Sequence, residues 1–100
     1  MASLQLFVLG EALMDCMALP DGNLRPLMGG SPFNLAIAAA RQGIRVGYLN
    51  PFATDPFGTA LREHIEGEGV RVLGHPSSCP TSLAIVQVND GTPVYAFYRE

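Results

Sequence analysis

The sequence predicts an α/β fold with a second, smaller sheet, and three observations predict it. Apolar segments of strand length alternate with two segments that open on a cap-then-proline pair, Ser31-Pro32 and Asp55-Pro56. Both of those segments close on a glycine, Gly43 and Gly69. Strands alternating with helices build a parallel sheet, because parallel neighbours need a crossover connection. Beyond residue 80 the pattern turns to period two around Asp90-Gly91, a signal for an antiparallel hairpin.

Taken in order, Leu4 to Leu9 is almost continuously apolar and predicts a strand buried on both faces, the central strand of the parallel sheet. Met14 to Leu19 and Leu24 to Met28 flank the turn signal Pro20-Asp21-Gly22-Asn23 and predict a hairpin or extended loop pair. A helix over 32–42 follows. Ser31 is a good N-cap, Pro32 fits the first helical position, and Gly43 can end the helix in a left-handed conformation. Arg45 to Asn50 reads as the next strand, and Asp55 caps a helix from Pro56 to about Glu68, a role that explains this carboxylate as structural. Val70 to Leu73 is a short third strand. Two strand-helix-strand steps with short connections make the start of a Rossmann-like sheet. Ser82 to Val88 and Pro93 to Arg99 form the last hairpin, expected to join residues 14–28 in the small second sheet. Ligands in open α/β sheets bind beyond the carboxyl ends of the strands, where both insertions leave the main layer, so segments of about 14–28 and 81–99 are expected to act as a lid.

Composition bounds the partners. One hundred residues, 48% hydrophobic and 15% charged, describe at most one globular domain. The net charge is -3, and the six basic residues are all arginines scattered from Arg25 to Arg99. Without a basic stripe, neither nucleic acid nor an anionic membrane surface is an expected partner. The start of the chain carries no positive charge and no stretch reaches the length of a membrane span, which predicts a cytoplasmic protein. Cys16 and Cys79 lack metal-ligand spacing and read as ordinary thiols, so no metal site is expected. His64, in a charged helical run, and His75, in a loop with a proline, read as solvated.

The stretch Met28-Gly-Gly-Ser-Pro-Phe-Asn34 carries the strongest functional signal. Gly29 and Gly30 let a ligand reach backbone amides just ahead of a helix N-terminus, and Asn34 in the first turn faces the same spot. Asp15 lies just beyond the first strand, where a carboxylate can accept two hydroxyl hydrogen bonds at once. The set suits a polyol. Phe97 and Arg99, two apart on a strand, share a face and offer an apolar surface with a fixed-geometry donor, while Tyr98 points the other way. Each residue also has a purely structural reading: a tight turn for the glycines, a turn cap for Asp15, core for Phe97 and a solvated strand-end charge for Arg99. No Gly-x-Gly-x-x-Gly, Gly-Lys-Ser/Thr loop, carboxylate pair or Ser/His/Asp set is present.

Four motifs in series, Gly29-Gly-Ser-Pro-Phe-Asn-Leu-Ala36, Ala40-Arg-Gln-Gly43, Thr54-Asp-Pro-Phe-Gly58 and Asn89-Asp-Gly-Thr-Pro93 leading to Phe97-Tyr-Arg99, resemble the N-terminal third of the ribokinase-like carbohydrate kinases, the PfkB family. The Gly10-Glu-Ala-Leu-Met-Asp15 opening and the Phe-Tyr-Arg ending are more similar to its fructokinase and 2-keto-3-deoxygluconate kinase branch. The resemblance implies the N-terminal portion of a ribokinase-like fold with a β-sheet lid, over residues 1–100. It implies transfer of the ATP γ-phosphoryl group to a sugar hydroxyl. Asp15, Gly29, Gly30 and Asn34 would bind sugar hydroxyls, with Phe97 and Arg99 contacting the substrate from the lid. One departure stands at Asn50-Pro-Phe-Ala-Thr-Asp55, where the family usually has a glycine shortly before Asp-Pro-Phe-Gly.

The resemblance places the base and the anion hole in a Gly-Ala-Gly-Asp motif far toward the C-terminus, beyond residue 100, with the ATP site and its Mg2+. No catalytic residue is therefore expected within this chain, nor ATP binding by it alone. A three-stranded parallel sheet would leave apolar faces and an edge bare, so these residues are expected to be the front part of a longer protein. Free lid edges that pair between subunits predict a homodimer. The competing expectations are a polyol-binding module without the kinase half and a dinucleotide-binding oxidoreductase. The absence of a glycine fingerprint after the first strand argues against the latter.

Overall fold

The computed structural model describes residues 3–99. The chain runs β1 (Leu6–Val8), β2 (Leu13–Ala18), β3 (Leu24–Gly29), α1 (Ser31–Arg41), β4 (Val46–Tyr48), α2 (Pro56–Gly67), β5 (Arg71–Val72), β6 (Ser82–Asn89) and β7 (Thr92–Tyr98). Two sheets result, a parallel one in the order β1-β4-β5 and a four-stranded one in the order β3-β2-β6-β7. No helix among the described residues is long and apolar enough to cross a membrane.

The core lies on one face of the parallel sheet. Val46 and Tyr48, two apart on β4, are buried with Phe33 of α1 and Leu61 and Ile65 of α2, each at most 1% exposed. The Phe33 ring meets Tyr48 and Phe52 edge-on, with centroids 6.4 and 6.5 Å apart. The opposite face carries Phe7 and Gly47, which are paired in register. A Cβ on Gly47 would come within 2.9 Å of the Leu4 and Leu73 side chains, so that face is crowded at its centre.

The expectation of a central first strand buried on both faces is corrected here. Among the described residues β1 ends the strand order, and Phe7 and Leu9 are 57% and 72% exposed. Its apolar run is explained by Val8 facing the core and Phe7 the uncovered face.

The helix starts differ from one another. At α2 the expectation holds: Asp55 is the N-cap, its Oδ1 accepting from the Gly58 N–H at 2.8 Å. At α1 the cap is Gly30, not Ser31, and no side chain bonds the first turn. Gly30 holds φ at 106°, and a Cβ there would sit 2.5 Å from the Glu11 carbonyl oxygen. Only glycine fits that turn, so the cap moves back one residue and Ser31 enters the helix. Both helices end as expected, with Gly43 and Gly69 at φ 86° and 90°.

The second sheet matches the expected hairpins. β2 pairs antiparallel with β3 and parallel with β6, and β6 pairs antiparallel with β7. Asp90 and Gly91, at φ 50° and 79°, make the two-residue turn between Asn89 and Thr92. Two consecutive positive φ values match the right-handed twist of the flanking strands, which is why Asp-Gly is favoured there.

Candidate functional site

The register of the second sheet decides which side chains share a face, because residues directly opposite one another point the same way. Leu27 is opposite Asp15, Asp15 opposite Ala84, and Ala84 opposite Phe97, one row across all four strands. The next row sets Gly29 opposite Leu13 and Leu13 opposite Ser82, and one step beyond the Leu83–Tyr98 pair brings Arg99 opposite Ser82. Four of the six residues singled out in the sequence therefore lie on one face.

Two of them touch. A Cβ on Gly29 would lie 2.2 Å from Asp15 Oδ2, so the carboxylate occupies the space that the missing side chain leaves. Gly30 follows, against the Glu11 carbonyl, and its own carbonyl accepts the Asn34 N–H at 3.0 Å. Asn34, exposed one turn into α1, thus stacks along the helix above Gly30. Asp15, Gly29, Gly30 and Asn34 form a continuous corner.

Phe97 and Arg99 stand apart from that corner. Two strand spacings separate Asp15 from Phe97, about 10 Å. Between them Ala84 is fully buried and its single methyl keeps the middle of the row low. The Arg99 guanidinium carbon lies 4.9 Å from the Phe97 ring centroid, and the Tyr95 ring stacks on Phe97 at 6.0 Å. Tyr95 and Ala84 were missed in the sequence. Period-two alternation through Tyr95, Phe97 and Arg99 was the signal for the first, whereas Ala84 is identified only by strand pairing.

The connection from β1 to β2 is held from two sides. The Gly10 carbonyl accepts from the Tyr48 hydroxyl, and the Gly10 N–H donates to Asn50 Oδ1 at 2.9 Å. Burial, with the Glu11 charge beside it, pushes the Tyr48 hydroxyl well above the usual phenol range, so it stays a donor. On the far face of β2 the Cys16 thiol is pushed up by burial and then by the Asp15 charge, which makes it a poor nucleophile. Cys16 is buried and Cys79 exposed, both as free thiols. His64 is exposed as expected, although its ring stacks on Phe33 at 6.2 Å.

Two hollows flank this face. One, of about 240 Å³, lies where the parallel sheet meets the root of the second sheet and is lined by Glu11, Asn50, Phe52, Gly58, Ser77 and Thr81, among others. The other, of about 430 Å³, is lined by Pro80, Thr81, Leu83, Phe97, Tyr98 and Arg99. Neither contains Asp15, Gly29 or Asn34. The carboxylate corner is an open half-site. Chemically it offers an acceptor for paired hydroxyls, an amide, glycine backbone and, farther out, an aromatic surface with a cation.

Comparison with known proteins gives a consistent result. The family model described as pfkB family carbohydrate kinase matches residues 3–100. A fructokinase of Escherichia coli is 36% identical over 90 residues, covering 88% of this chain and 29% of that protein. A 2-dehydro-3-deoxygluconokinase of Bacillus subtilis is 31% identical over 77 residues, covering 73% of this chain and 24% of that protein. The crystal structure of fructokinase from Xylella fastidiosa superposes with a TM-score of 0.86 at 31% identity, over 94% of this chain and 33% of that one. The same fructokinase with bound ATP gives a TM-score of 0.85. The chain thus spans about a third or less of the length of these relatives.

Proposed function

The chain belongs to the pfkB family of carbohydrate kinases, and from that premise we propose that it forms the sugar-binding, lid-bearing N-terminal part of an ATP-dependent kinase that phosphorylates a sugar hydroxyl. The observation that carries this reading is the shared face of Asp15, Gly29, Phe97 and Arg99, continued by Gly30 and Asn34. In it the Asp15 carboxylate accepts a pair of adjacent hydroxyls, Asn34 accepts and donates, and the glycine backbone donates to a ring or carbonyl oxygen. Phe97 covers the sugar from β7. The second sheet acts as a lid, with segments of about 14–28 and 81–99, and its closure excludes water from the reacting hydroxyl.

ATP, with Mg2+, supplies the phosphoryl group, and its site is assigned to the part of the family fold outside residues 1–100. The residues described above do not make a nucleotide site: the sequence holds no phosphate loop, and the Arg99 guanidinium lies over Phe97. Phosphoryl transfer depends on positioning and on stabilising the transferred charge, so residues 1–100 alone are expected to be inactive. The test is a coupled ATP assay with D-fructose and 2-keto-3-deoxygluconate, run on the protein as its source produces it and on residues 1–100. Sugar-dependent turnover by the former and none by the latter supports the reading. Turnover of neither sugar by the former, or turnover by the latter, contradicts it.

Arg99 bears on the choice of sugar. An acidic substrate gains a charge-assisted bond there and fructose does not, so Arg99→Ala weakens the acid sugar far more. Equal losses remove the argument. A cytoplasmic location and a homodimer through the lid belong to the same proposal. Supporting the dimer, β7 pairs on one edge only among the described residues and carries exposed Val94, Tyr95, Phe97 and Tyr98.

A further inference from the structure

Asp55 does more than cap a helix. Its Oδ1 accepts from Gly58 N at 2.8 Å and from Thr81 Oγ1 at 2.6 Å, and its Oδ2 accepts from Thr81 N at 2.8 Å. The two residues are 26 apart in the chain. Thr81 immediately precedes β6, the strand that carries Ala84 and, through its pairing, places Phe97 and Arg99. Asp55 belongs to the segment leaving β4, and that segment also holds the approach to Thr81: Ser77 N donates to Phe52 O at 2.8 Å and Thr54 N to Ser77 O at 3.2 Å. The first connection to the lid is tied to the same segment, by Asn50 on Gly10. Both outward crossings from the parallel sheet to the lid are therefore fastened to residues 50–55.

We propose that Asp55 is a positioning residue for the sugar site: through Thr81 it fixes where β6 leaves the main layer, and so holds the lid sheet that carries Ala84, Phe97 and Arg99 in place relative to Gly30 and Asn34 at the start of α1. A helix cap alone needs one carboxylate oxygen; the second oxygen and the Thr81 hydroxyl serve only the link. The inference rests on the sugar-kinase reading for its functional consequence, not for its structural content.

Thr81→Val weakens the link without touching the cap, since it deletes the hydroxyl bond and leaves the Thr81 N–H bond to Oδ2 and the cap on Gly58 in place. In the whole protein, the sugar KM rises about fivefold to tenfold while kcat stays within about twofold, and Thr81→Ser restores both. Amide exchange in β6 and β7 speeds up while the amides of α2 keep their protection. Asp55→Asn, which retains a capping oxygen but turns a donor toward Thr81, acts in the same direction as Thr81→Val. An unchanged KM in both Thr81→Val and Asp55→Asn, or equal loss of protection in α2 and in the lid strands, overturns the proposal. Absence of sugar turnover in the wild type would remove the functional reading, and the exchange pattern would still decide the link.

Discussion

The two helix starts of this molecule share one local pattern, a small or polar residue followed by proline, and the fold uses them in opposite ways. At α2 the Asp55 carboxylate takes three donors and is fully engaged by the protein. At α1 the cap is a glycine with no side chain, no side chain among the described residues caps its first turn, and the Asp15 carboxylate lies over Gly29. The α2 start is closed by the protein's own groups; the α1 start has no such partner among the described residues, and the proposed sugar site uses it. The same motif type can therefore be closed or left open, and what separates the outcomes is whether a partner from elsewhere in the chain has already satisfied it.

Substitutions can break or sharpen that contrast. The largest effect is expected for Gly30→Ala, which forces a Cβ onto the Glu11 carbonyl at a φ that alanine avoids. A loss of about 3 kcal/mol in urea unfolding is expected, and an unchanged midpoint would mean that the open start tolerates a side chain after all. Asp55→Ala removes a cap and the link to Thr81 together, and a loss of about 2 kcal/mol is expected by the same measurement. Ser31→Ala should change stability by less than about 0.5 kcal/mol, because Ser31 makes no cap bond. A loss near 1 kcal/mol, typical of a capping serine, would restore Ser31 as the cap.

Acid distinguishes the closed start as well. Burial works to raise the Asp55 carboxyl, but the hydrogen bonds from Thr81 and Gly58 outweigh it and hold the group below the usual carboxylate range. With its folded pKa depressed, the carboxylate's contribution to stability is present above the unfolded value near 4 and is lost as the pH falls through the folded value. Thermal melts from pH 5 downward should therefore show the wild type losing its advantage over Asp55→Asn. A constant difference across that range would mean the carboxylate charge plays no part.

Most of the fold was legible because its signals are local. Pro56, Gly43, Gly69 and Asp90-Gly91 each act within a few residues, and the structure uses all of them as expected. What escaped the sequence depends on partners far along the chain. Ser31 yields the cap to Gly30 because of the Glu11 carbonyl, and Asp55 gains Thr81 from 26 residues away. β1 ends its sheet because β4 is its single strand partner among the described residues. Of the site, the period-two alternation placed Phe97 and Arg99 on one face, but only the β2–β6–β7 register joins that face to Asp15.

In the proposed function, sugar is held by the face organised around Asp15. Titration calorimetry of D-fructose and of 2-keto-3-deoxygluconate into the whole wild-type protein and into Asp15→Ala tests it directly. Saturable binding of at least one sugar by the wild type is expected, with an affinity about 10- to 100-fold weaker in the variant, the loss expected for hydrogen bonds to a charged group. Equal affinity in a variant that melts like the wild type would contradict it.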